Sequence, residues 1–135
     1  MNVAFGGTLI EHLPDRPGTI EHGTPSGEDH RTHPVEVAAE SLLAAATGAG
    51  VLDCSTHHHQ GIDELGTHLV ATGWSADGLV EAIERRGGWM LGVQWHPEDT
   101  AADDPAQQRL FDALVDRART VDRERAAGRR RSTRV

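Results

Sequence analysis

Lysine is absent from this chain, and all thirteen of its basic residues are arginine. Cysteine is almost as scarce: Cys54 is the only one, which excludes an intramolecular disulfide framework. No apolar run approaches the roughly 20 residues that a bilayer-spanning helix needs. The longest candidate, residues 35–52, is broken by Glu36, Glu40, Ser41, Thr47 and Gly48. The first residues, MNVAFGGTLIEHLPD, hold no basic stretch followed by an apolar one, so no secretory leader is readable. A cytoplasmic location, with no membrane partner, is the expectation. A basic body is missing too. Residues 1–116 carry 19 acidic residues against 5 arginines, a net −14, while residues 117–135 carry 2 against 8, a net +6. Phosphate contacts need clustered positive charge, so no nucleic-acid partner is expected of this acidic body. The run Arg129-Arg130-Arg131 reads as part of a solvated tail.

What remains is the composition of an ordinary globular chain, with 135 residues, 37% hydrophobic and 25% charged, or about one domain. Val3, Ala4 and Phe5 before Gly6-Gly7 read as the last turn of a helix stopped by glycine. A chain that opens this way suggests a mis-called start or a truncation at Met1. Residues 14–34 are rich in proline and glycine and read as a long surface loop. A short strand at residues 35–37, a helical turn or two over 40–46 ended near Gly48, and a strand over 51–56 follow. Asp77-Gly78 between apolar runs at 69–72 and 80–83 predicts a hairpin. Residues 90–95 form the most apolar strand. Ala106, Leu110, Phe111, Leu114 and Val115 recur at helical spacing, with Asp103 or Asp104 as cap and Pro105 at the first position. Residues 122–135 hold too few apolar side chains to fold and are expected to be solvated.

The sharpest chemical feature is Gly92-Val93-Gln94-Trp95-His96-Pro97-Glu98. An apolar strand delivers a histidine at its C-terminal end, where open α/β sheets build their sites. Histidine is the usual general base because its pKa lies near neutrality. On an extended backbone Glu98 projects to the same side as His96, where a carboxylate can fix the imidazole tautomer and stabilise the imidazolium. Spacing alone leaves a plain polar turn open as the alternative. Cys54 invites a nucleophile reading, but Asp53 and Ser55 flank it, and no glycine permits the strained turn that exposes a nucleophile. It reads as a small buried apolar side chain. The run His57-His58-His59 invites a metal, which would need ligands converging on one face. On a strand His57 and His59 would share a face and His58 would point away. His12, His22, His30 and His33 could add ligands, but no helical pair spacing links them. No metal site is expected.

GVQWHPE resembles the strand-end signature of the class I glutamine amidotransferases. Three further segments match, in order, the γ-glutamyl-γ-aminobutyrate hydrolases of that family: NVAFGGTLIEHLPD at 2–15, THHHQGIDELG at 56–66 and SADGLVEAIE at 75–84. Thr56 stands where the family usually has serine. The resemblance implies an α/β fold, the C-terminal part of a class I glutamine amidotransferase-like open sheet flanked by helices, with the N-terminal strands missing. The parent sheet would be largely parallel. Residues 1–116 would be a partial amidotransferase-like domain, and residues 117–135 the end of the terminal helix and an Arg-rich tail. Hydrolysis of γ-glutamyl amides by a Cys-His-Glu triad is implied, with His96 as base, Glu98 as its partner, and His58, His59 and Gln60 beside the γ-glutamyl group. A small-molecule γ-glutamyl amide is the expected partner, and no cofactor, metal or organic, is implied. The family's Gly-x-Cys-x-Gly elbow falls upstream of Met1. The chain is therefore expected to be inactive alone, to expose a sheet edge, and to self-associate or meet a complementing N-terminal chain. The alternatives are a non-catalytic γ-glutamyl-binding pseudoenzyme and one half of a split amidotransferase.

Overall fold

The computed structural model describes residues 1–23 and 31–132. Seven strands and two helices run in the order β1 (Leu9–Ile10), β2 (Arg31–Val37), α1 (Leu42–Thr47), β3 (Val51–Thr56), β4 (Gly61–Ile62), β5 (Leu69–Ser75), β6 (Val80–Arg85), β7 (Leu91–Val93) and α2 (Pro105–Ser132). Five strands form one sheet in the order β3-β2-β5-β6-β7, while β1 and β4 make a separate two-stranded pair. Every pairing among the described strands is antiparallel. The parallel character implied for the parent sheet is thus not found in this part of it. Short connections explain why: a tight turn can join only antiparallel neighbours, and β5 and β6 are joined by the four residues 76–79 around Asp77-Gly78.

The hairpin forms where Asp77-Gly78 predicts it. Gly78 takes φ +79°, a left-handed conformation that glycine reaches without penalty. Gly73, opposite Ala82, is needed for a different reason. A Cβ there would lie 3.0 Å from the Ala82 Cβ and 3.1 Å from Val35 Cγ1, so the sheet closes over this position only because it has no side chain.

On one face of the sheet Val35, Leu52, Cys54, Ala82 and Trp95 pack with Leu43 of α1 and with Ala106 and Leu110 of α2. On the other, Ile62, Leu69 and Ile83 pack with Phe5 and Val80. Phe111, Leu114 and Val115, which share the helical spacing of Ala106 and Leu110, are exposed. The reading of residues 31–34 as loop is also corrected, because they belong to β2 and pair with β3 from Arg31 to Glu36. Residues 24–30, including His30, lie outside the described residues.

Helix α1 is too short to persist on propensity alone, and its ends are held individually. Ser41 Oγ accepts from the Ala44 N–H at 2.9 Å, and Gly48 closes the C-terminus at φ +68°. The buried Glu84 carboxylate accepts from the Leu42 and Leu43 N–H groups, each at 2.9 Å. It thereby satisfies two orphan donors and places negative charge at the positive end of the helix. Replacing Glu84 with Ala should cost about 2–3 kcal/mol, because both buried N–H groups lose a charged acceptor. Urea denaturation would check this, with Glu84→Gln expected to lose less.

Helix α2 starts as its sequence indicates, with Asp104 Oδ1 accepting from the Ala106 N–H at 2.8 Å. It does not stop before residue 122, where a solvated tail was expected to begin. It runs on to Ser132, so most of the tail expected to be unfolded is helical. The residues of this stretch are mostly Ala, Arg and Glu, which are strong helix formers. The arginines near its end also suit the negative end of the helix dipole. An apolar face was the wrong criterion for this segment.

Candidate functional site

The sheet positions His96 through two neighbours. Beyond β7 the chain runs beside the end of β3, where the His96 N–H donates to the Ser55 carbonyl at 2.9 Å. Pro97 then turns the backbone into a 3₁₀ turn, Pro97–Asp99. The extended geometry expected for His96-Pro97-Glu98 is therefore replaced by a tight turn. The turn still brings the pair together, with His96 Nδ1 at 2.7 Å from Glu98 Oε1. A carboxylate only accepts, so the bond places the proton on Nδ1 and leaves Nε2 as the basic nitrogen. Burial, the largest single influence, opposes ionisation of Glu98, but the His96 hydrogen bond, a backbone hydrogen bond and the His96 charge together outweigh it and hold the carboxyl below its usual range.

His57 completes the arrangement in a way its place in the histidine run did not indicate. Its ring stacks on that of His96 with centroids 3.5 Å apart and planes 16° from parallel. His57 Nε2 lies 3.3 Å from Asp99 Oδ2, and the same carboxylate oxygen accepts from Ser55 Oγ at 2.8 Å. Two imidazole–carboxylate pairs thus lie face to face. The nearby Asp99 in the same turn as Glu98 was the signal available in sequence.

Trp95 anchors the segment from below. It is almost fully buried, and its indole N–H donates to Gln107 Oε1 at 3.0 Å. The Gln107 amide donates in turn to the Asp53 carbonyl at 3.0 Å. Gln107 therefore bolts α2 to both β3 and the strand end that carries His96.

The segment expected beside a γ-glutamyl group does not behave as a unit. His57-His58-His59 lies past the end of β3, so strand alternation does not apply. His58 turns inward, its Nε2 3.6 Å from Glu81 Oε2, and its Nδ1 bonds the Gln60 carbonyl at 2.8 Å. That carbonyl also accepts from the Gln94 amide at 2.7 Å. The backbone of Gln60, rather than its side chain, ties the segment to the strand end. His59 lies apart, its ring 5.8 Å from that of His12.

Cys54 is fully buried, and burial pushes its thiol up to about 12. It belongs to the core, as the sequence indicates, and is no nucleophile. Because alkylation requires thiolate, the native chain should react with iodoacetamide at least about 10³-fold more slowly than the urea-unfolded chain. Mass spectrometry of timed samples would measure this.

Comparison with known proteins identifies the family. The family model described as Peptidase C26 matches residues 1–98. A Mycobacterium tuberculosis protein whose name marks it a candidate glutamine amidotransferase is 44% identical over 119 residues, covering 87% of this chain and 37% of that protein. The γ-glutamyl-γ-aminobutyrate hydrolase PuuD of Escherichia coli is 32% identical over 124 residues, covering 84% of this chain and 47% of the hydrolase. Among solved structures, a glutamine amidotransferase from Thermotoga maritima superposes with a TM-score of 0.54 at 16% identity, covering 89% of this chain and 44% of that one. The likeness to that structure shows the fold, which is α/β. The chain spans less than half the length of these relatives. The family match over residues 1–98 and the relatives' identity together show that the chain belongs to the Peptidase C26, class I glutamine amidotransferase-like family.

Proposed function

We propose that the protein hydrolyses γ-glutamyl amides, with His96 as general base and then general acid and Glu98 as its orienting partner. The observation that carries this reading is the 2.7 Å bond from His96 Nδ1 to Glu98 Oε1 at the end of β7. The nucleophile is a cysteine contributed from outside residues 1–135, either by more of the same polypeptide or by a complementing chain. His96 Nε2 takes the thiol proton, and the thiolate attacks the γ-carbonyl carbon. The amine leaves with the proton returned from His96, and a thioester remains. Water, deprotonated by His96, then releases glutamate and restores the thiol. The Glu98 carboxylate stabilises the imidazolium in both halves. His57, stacked on His96 and tied to Asp99, restrains the swing of the imidazole. The γ-glutamyl class is supported by the match of residues 56–66 and by the activity named for the Escherichia coli relative.

Residues 1–135 alone are expected to bind without turnover, because Cys54 is buried in the core. The test joins the preceding part of the Mycobacterium tuberculosis relative to residue 1 of this chain and assays γ-glutamyl-γ-aminobutyrate and γ-glutamyl anilides. A monodisperse, cooperatively melting chimera that releases amine supports the reading. A chimera equally well folded but inert on γ-glutamyl amides sinks it.

A further inference from the structure

Four side chains from separate stretches of the chain meet inside the protein, and one of them, His58, is next in sequence to the His57 that stacks on His96. His22 precedes β2, His33 lies on β2, His58 follows β3 and Glu81 lies on β6. Glu81 is completely buried, and neither of its carboxylate oxygens has a well-formed hydrogen-bond partner; buried His58 Nε2 lacks one as well. Glu81 Oε1 lies 3.2 Å from His22 Nδ1 and 3.6 Å from His33 Nε2, while Oε2 lies 3.6 Å from His58 Nε2. His33 Nε2 and His22 Nδ1 are 3.1 Å apart.

The opposite nitrogen of each ring is pinned by a group that can only accept. His22 Nε2 faces Asp77 Oδ2 at 3.1 Å, His33 Nδ1 the Pro34 carbonyl at 3.2 Å, and His58 Nδ1 the Gln60 carbonyl at 2.8 Å. The Gln94 amide also approaches His58 Nδ1, at 3.3 Å, but the shorter bond to Gln60 decides the tautomer. In the neutral rings all three outer nitrogens therefore carry the proton. Three imidazole lone pairs are left aimed at a buried carboxylate. While all three rings are neutral, four electron-pair donors with no hydrogen between them repel one another, and a buried carboxylate is costly without a cation beside it. The cluster calls for a cation at its centre.

We propose that His22, His33, His58 and Glu81 form a site for a divalent metal ion of the zinc class, oriented by Asp77. Imidazole nitrogens with one carboxylate are the donor set such an ion prefers. Tetrahedral bonds of 2.0–2.1 Å separate neighbouring ligand atoms by about 3.3–3.4 Å, and the three contacts to one or other Glu81 oxygen and the His22–His33 contact fall between 3.1 and 3.6 Å. The ligand atoms of His22, His58 and Glu81 all lie within 4.8 Å of one another, and His33 joins them through its Nε2, 3.1 Å from His22 Nδ1 and 3.6 Å from Glu81 Oε1. Asp77 bonding the outer nitrogen of His22 is the carboxylate–histidine–metal relay that metal sites use to set ring orientation. A cavity of about 360 Å³, lined in part by Leu13, Ile20, His22 and His58, gives access. The ion would clamp the His57–Gln60 stretch to β2 and β6, and so hold His57 against His96. Its role is structural, and it goes beyond the hydrolase reading without depending on it.

The test titrates Co²⁺ and then Zn²⁺ into the chelator-treated 135-residue chain, with circular dichroism monitoring the fold. One equivalent of Co²⁺ should develop the visible bands of a four-coordinate ion, Zn²⁺ should bleach them, and the melting temperature should rise on binding. Glu81→Gln should weaken binding at least about 100-fold, and Asp77→Asn by about 10- to 100-fold. Metal-free Glu81→Gln should keep the fold, because its amide can donate to an imidazole lone pair. If Glu81→Gln does not fold, Asp77→Asn decides, and the chimera provides the same test if the chain aggregates. Absence of stoichiometric binding would overturn the proposal and leave protons as the cation. Binding of equal affinity in the variants would overturn it as well, by placing the ion elsewhere.

Discussion

Replacing His96 with Ala in the chimera is expected to lower kcat/KM on γ-glutamyl-γ-aminobutyrate by at least about 10³-fold, with little change in melting temperature. The loss is large because one imidazole serves twice, first drawing the thiol proton and then delivering it to the leaving amine. Members of such a unit are not additive, so adding Glu98→Gln to His96→Ala should cost almost nothing more. Glu98→Gln alone should cost about 10²- to 10⁴-fold. It keeps a side-chain oxygen near Nδ1 but removes the negative charge that Glu98 holds at neutral pH, its carboxyl lying below the usual range. The fold should barely respond, since His96 is one-third exposed and Glu98 more than half. Steady-state kinetics on the three variants, beside their melting curves, would check all of this. A His96→Ala chimera with wild-type activity would remove His96 from the mechanism.

Trp95→Ala should have the largest effect on stability, about 3–5 kcal/mol, as expected for a buried aromatic truncated to a methyl group. Trp95 packs in the main core with Val35, Leu43, Leu52, Cys54 and Ala82. Removing it opens a cavity beneath the strand end and leaves Gln107 Oε1 without its donor. Trp95→Phe separates the two contributions. It keeps most of the apolar volume and loses the N–H, so about 1–3 kcal/mol is expected. Gln107→Leu should fall in the same range, because it strands the Trp95 N–H and the Asp53 carbonyl together. The coupling between Trp95→Phe and Gln107→Leu, read from a double-mutant cycle in urea, measures the bond itself. Independent, additive effects would show that the network is not a unit. Since His96 follows Trp95 directly, these variants should also lower chimera activity where the protein remains folded.

The local features of the fold were legible because they depend on neighbours in sequence. Asp77-Gly78 turns where it stands, Gly48 closes the end of α1, and Asp104 starts α2. The His96–Glu98 pair could be read from the sequence for the same reason, since two residues of backbone suffice to bring it together. The far end of α2 was misread because an apolar pattern was required of a helix that Ala and Arg sustain on propensity.

Residue type and short-range spacing were therefore enough to determine the hairpin and the closeness of His96 to Glu98, while four ordered segments carried the family resemblance. Only the tertiary structure decided which histidines are buried and what they face. His22 and His33 sit in a stretch that reads as polar loop, yet the pairing of β2 with β3 buries His33. Backbone bonds carry His22 in with it: the His22 carbonyl accepts from the His58 N–H at 2.9 Å and from Thr56 Oγ1 at 3.2 Å. Glu81 faces them only because β6 is registered against β5, and β5 against β2. The meeting of His57 with His96, and of Trp95 with Gln107, rests on the same long-range placement. Periodicity in a sequence reports which face of its own strand or helix a side chain takes. What stands opposite that face is set by strand order and register, and these depend on the whole chain closing around one core.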